Sequence, residues 1–74
     1  LQDEADRQEA ESLVAWAIAQ VKNDNYREVL ELTYLEKLSA EEIVDRLGIT
    51  MDNLYQRRSR GVRELERILR AHRA

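Results

Sequence analysis

Between residues 53 and 63 stand seven side chains suited to directed polar contacts: Asn53, Tyr55, Gln56, Arg57, Ser59, Arg60 and Arg63. Their chemistry is that of groove recognition in a nucleic acid. Glutamine matches the N6/N7 edge of adenine, arginine the O6/N7 edge of guanine, and tyrosine a thymine methyl or a phosphate. On a helix, each residue turns by about 100° from the last. With Leu54 inward, Gln56, Ser59 and Arg63 then point away from the core, and Tyr55 and Arg60 flank that outer face. Leu54, Gly61 and Leu65 cluster on the opposite side, with Ile68 or Leu69 beyond them. Asn53, Arg57 and Arg63 suit contacts to the phosphate backbone, which position a helix without reading sequence.

The segment before these residues must hold them in place. Ser39 and Glu42 have the spacing of a capping box, in which each side chain bonds the other's backbone N–H. Ile43, Val44 and Leu47 form a one-sided apolar stripe. Gly48 falls where that helix must stop with positive φ, and Thr50 is positioned to cap the next one. A capped helix, a glycine turn and a second capped helix spell a helix-turn-helix. Upstream, the pattern predicts a helix over about 3–22, with Leu13, Trp16, Ala17 and Val21 on one face and Trp16 as a core anchor. The polar Asn23-Asp24-Asn25 break caps a second helix over about 26–37, with Tyr26, Val29, Leu30, Thr33 and Tyr34 or Leu35 inward. Helices over about 40–47 and from 51 onward complete a compact all-α, four-helix domain without a wing.

Composition supports that class. In 74 residues there is room for one small core, and the chain holds no proline and two glycines. It has no cysteine, which excludes disulfides and thiolate metal sites. No apolar run approaches the roughly 18 residues of a membrane span, and a signal-peptide pattern is lacking. A cytoplasmic protein without membrane association is therefore expected. The net charge of −3 conceals a polarity. Residues 1–50 carry five basic and twelve acidic side chains, net −7; residues 51–74 carry seven basic and three acidic, net +4. All seven basic residues are arginines (Arg57, Arg58, Arg60, Arg63, Arg67, Arg70, Arg73), the side chain best fitted to bidentate phosphate or base contacts.

Other chemistries find little support. Asp3, Glu4, Asp6, Glu9 and Glu11 lack the Asp/Asn-Gly spacing of a calcium loop and read as a solvated face. His72 is isolated near the chain's end, so no metal or cofactor site is expected. With no glycine-rich phosphate loop and no nucleophile–base pair, the chain reads as non-enzymatic.

Taken together, Arg27-Glu28-Val29-Leu30-Glu31-Leu32, Leu38-Ser39-Ala40-Glu41-Glu42-Ile43, Leu47-Gly48-Ile49-Thr50 and the run from Asn53 to Leu65 resemble region 4 of bacterial RNA polymerase sigma factors. The small extracytoplasmic-function type is the nearest in pattern. The resemblance covers about residues 10–70. It implies a monomeric domain that docks its last helix in the major groove of the promoter element near −35 and initiates transcription. It also implies binding to core RNA polymerase, with an apolar groove of helices one to three holding the β-subunit flap, and regulation by an anti-sigma factor covering the same surfaces. Arg27 is expected to pair with Glu42, as a family-like link between helix two and the turn. The chain begins at Leu1 and reads as one domain, 1–74, from the C-terminus of a longer protein.

Four positions depart from the family pattern: Val44 in place of Ala, Asn53 in place of Thr, Tyr55 in place of Lys or Arg, and Arg58 in place of an aliphatic residue. Arg58 lies only about 40° from Leu54, so its stem should line the core edge while its guanidinium reaches out. Two other functions fit the same residues. One is a LuxR-type effector domain of a response regulator, which shares the helical turn and acts as a dimer. The other is a helical protein-interaction module whose acidic face meets a basic partner.

Overall fold

The computed structural model describes residues 12–73. Among them, α1 occupies 12–19, α2 Asp24–Leu30, α3 Ala40–Leu47 and α4 Met51–Arg73, with a π-helical segment, Glu31–Leu35, continuing directly from α2. No strand occurs among the described residues, and the fold is all-α. The expected acidic face of Asp3, Glu4, Asp6, Glu9 and Glu11 lies outside the described residues, as does the start of the first helix.

The helices α2, α3 and α4 each begin where a side chain can satisfy free backbone donors. Asn23 Oδ1 accepts from the N–H groups of Asn25 and Tyr26 at 3.0 and 3.1 Å, opening α2 two residues earlier than expected. Ser39 Oγ accepts from Glu42 N–H at 3.2 Å, and Glu42 Oε1 accepts from Ser39 N–H at 3.2 Å, so the capping box at the start of α3 is complete. Gly48 ends α3 with φ of 65°, the left-handed conformation that glycine adopts without strain. Thr50 Oγ1 then accepts from Asn53 N–H at 3.1 Å to open α4.

Two apolar clusters hold the helices together. Ala17, Ile18 and Val21 pack with Leu30 and Leu65, while Val29 and Leu32 pack with Ile43 and Leu54. Thus α4 serves both clusters, through Leu65 in one and Leu54 in the other. Its approach to α2 depends on Gly61, where a Cβ would stand 3.2 Å from Leu30 Cγ and Cδ1.

Two expectations about the core are corrected. Trp16 is 43% exposed instead of anchoring the core; its ring meets that of His72 at 4.8 Å between centroids. Ile18, about 160° round α1 from Trp16, fills the inward position with Ala17. Tyr34 and Leu35 are both exposed, and Leu32 is buried instead. The reason is the π-helical segment: its wider i→i+5 turn changes the phase of residues 31–35, which a 3.6-residue period does not anticipate.

The turn at Gly48 yields a test. No heavy atom lies within 4 Å of a Cβ built there, so a side chain costs only backbone strain. Gly48→Ala should lower the unfolding free energy by about 1–2 kcal/mol in urea denaturation, and Gly48→Asn by less, because Asn tolerates the left-handed region. Equal stability of Gly48→Ala and the parent would contradict this account of the turn.

Candidate nucleic-acid interface

The outward face of α4 carries the side chains singled out from the sequence. Gln56, Ser59, Arg60 and Arg63 are exposed, and Tyr55 is 49% exposed. Arg57 is half-buried on the flank. Asn53 is also half-buried, and its Oδ1 is enclosed without a hydrogen-bond donor, so it sits at the edge of this face instead of on it. Arg58 holds the core-edge position expected of it. Its guanidinium carbon stands 5.1 Å from the centre of the Tyr55 ring, in cation–π range.

Charge on α4 is divided along its length. Toward the C-terminus, Arg67 is ion-paired with Glu64, and Arg70 with Glu66 at 4.0 Å. The hydrogen bond from Arg67 to the Glu64 side chain raises the Arg67 pKa above its ordinary value. Nearer the start of the helix, Arg57, Arg60 and Arg63 have no ion pair or hydrogen bond among the described residues. The helix dipole does not account for them, because its pull on cations is confined to the last turn. What remains is a cluster of uncompensated guanidinium groups on an exposed helix face, with Gln56 and Ser59 between them.

Arg27 does not make its expected link to Glu42. It donates to the Val21 carbonyl at 2.8 Å and pairs with Asp24 and, at 3.6 Å, with Glu31. The Glu42 carboxylate is committed to the capping box, while Arg27 finds carboxylates three and four residues away on its own helical stretch. Arg27 thereby closes the connection from α1 into α2. Sequence reasoning also overlooked Tyr34, whose exposed ring lines the same cleft as Tyr55 and Arg58. Its only sequence signal was an aromatic at a position that a regular helix leaves ambiguous between core and surface.

The architecture thus defines an all-α domain that displays an arginine-rich helix face behind a glycine turn. A family model described as "Protein of unknown function (DUF1492)" matches residues 2–66, and the chain belongs to that family. Neither a curated protein nor a solved structure matches it. Among the described residues, no helix is long and apolar enough to cross a membrane.

The capping box that supports the turn responds to acid. The Ser39 backbone N–H, then the Ser39 side chain, hold the Glu42 carboxyl below its ordinary value of 4.5, with Arg46 adding to the effect. A carboxyl whose folded value is depressed stabilises the fold above the unfolded value, and that contribution disappears as pH falls through the folded one. Between about pH 6 and about pH 3 the thermal midpoint of the parent should therefore fall further than that of Glu42→Gln. Parallel curves for the two proteins would show that the Glu42 charge contributes nothing.

Proposed function

We propose that this chain is a helix-turn-helix domain that binds duplex DNA by docking α4 in the major groove. The observation that carries the proposal is the division of charge on α4. Among the described residues, Arg57, Arg60 and Arg63 are left without anionic partners around Gln56 and Ser59, while Arg67 and Arg70 are paired within the helix. Uncompensated guanidinium groups release counterions on meeting phosphates, which supplies affinity. Gln56 and Arg60 supply discrimination at base edges, and Arg57, Arg63 and Asn53 align the helix on the backbone.

The resemblance to sigma-factor region 4 specifies the reading further: recognition of a −35 promoter element, with α1 to α3 meeting core RNA polymerase through its β-subunit flap. An anti-sigma factor would act by covering the same surfaces. The acidic balance of residues 1–50 repels phosphate, so the isolated domain binds weakly and with steep salt dependence.

Titration of labelled duplexes at low salt, after selection of a preferred site from random sequence, tests the assignment. Gln56→Ala and Arg60→Ala should each cost about 1–3 kcal/mol on the selected site and relax preference at one base pair. Wild-type affinity and preference in both variants would remove α4 from the role of reading helix.

A further inference from the structure

A helix lying in the major groove has a phosphate backbone on each side of it. On α4, one flank of the outer face carries Arg57 and Arg60. The other turns toward the π-helical segment, where Tyr34, Tyr55, Arg58, Ser59, Arg63 and Glu66 line an open cleft of about 450 Å³. Two phenols, a hydroxyl and two guanidinium groups make this a donor-rich concavity. Its carboxylate, Glu66, is shared with Arg70.

Arg58 is the group that most needs an explanation. It is half-buried, stands where the sigma-factor pattern has an aliphatic residue, and has no carboxylate partner among the described residues. Among the described residues its guanidinium stands over the face of Tyr55, which orients the group but satisfies none of its five N–H donors. A partly desolvated cation with unused donors favours an anion with several acceptor oxygens. Tyr34, presented from a different element by the π turn, lines the same cleft and brings a second phenol to it.

We infer that this cleft binds a phosphodiester of the duplex, with Arg58 as the charged donor, Tyr34 as the second, and Tyr55 positioning Arg58. The inference rests on the DNA-binding reading above and extends it from the outer face of α4 to the second strand bordering the groove. It assigns to Arg58 and Tyr34 contacts that hold for any base sequence, because phosphates carry none of the sequence information.

The test is the salt dependence of the affinity for a mixed-sequence duplex, with melting followed by circular dichroism to show that each variant is folded. Arg58→Gln should weaken binding about tenfold and reduce the slope of log K against log salt by about 1. Arg58→Lys should restore the slope. Tyr34→Phe, which keeps the ring, should weaken binding a few-fold at unchanged slope, and it remains informative if Arg58→Gln fails to fold. A parent that binds duplex while Arg58→Gln and Tyr34→Phe match it in affinity and slope overturns the cleft assignment and leaves the reading of α4 standing. A parent that binds no duplex overturns both. Inorganic phosphate, titrated at constant ionic strength against the Arg58 Nε–H resonance, separates the two sources of this oxyanion. Saturable phosphate binding lost in Arg58→Gln, with duplex affinity unmoved, would assign the cleft to free phosphate and overturn the duplex contact.

Discussion

The burial of Leu54 and Leu65 on one side of α4 determines which side of that helix meets solvent, and the candidate interface follows from it. Leu54 is enclosed with Val29, Leu32 and Ile43, and Leu65 with Ala17, Ile18, Val21 and Leu30. Two anchors three helical turns apart prevent rotation about the helix axis more firmly than one would. Gly61 lies between them and admits Leu30 against the helix backbone. In consequence Gln56, Ser59 and Arg63 face outward on one packed helix. Side chains carried on a packed helix lose less entropy on binding than the same groups on a loop.

The turn before α4 sets where that face begins. Three capping arrangements in succession, at Ser39, Gly48 and Thr50, satisfy backbone groups that would otherwise need water at the ends of α3 and α4. The segment is short and well bonded, so α4 has little freedom to swing relative to α3. Charge is arranged on the same plan. Most carboxylates lie before residue 51 and all the arginines of the C-terminal part after it, which gives the chain an electrostatic polarity. Such a polarity orients a molecule approaching a polyanion, so that the arginine face leads.

Much of this was legible in the sequence, because capping and left-handed turns are local. Ser39, Glu42, Gly48 and Thr50 act within four residues of their partners, and their spacing alone predicts the contacts observed. The inward set on α4 was legible for a related reason, since 23 residues of uninterrupted helix keep one period. Departures arise where local rules compete with packing. Trp16 and Ile18 stand about 160° apart round α1, and the side that carries Ala17, Ile18 and Val21 takes the interior, which leaves Trp16 outside. The π-helical segment has no composition signature in Glu31–Leu35, so the inward turn of Leu32 and the outward turn of Tyr34 were hidden. Arg27 had several carboxylates within reach, and spacing could not rank a distant one against neighbours on its own helical stretch.

The central claim is that the outward side of α4 is a duplex-binding surface. Amide and arginine side-chain resonances of isotope-labelled protein, followed while a short duplex is added at low salt, address it directly. The account predicts the largest shifts at residues 53–63, at the Nε–H groups of Arg57, Arg58, Arg60 and Arg63, and at Tyr34, with α1 nearly unmoved. Shifts centred on α1 or α3, or none at all along α4, would contradict it.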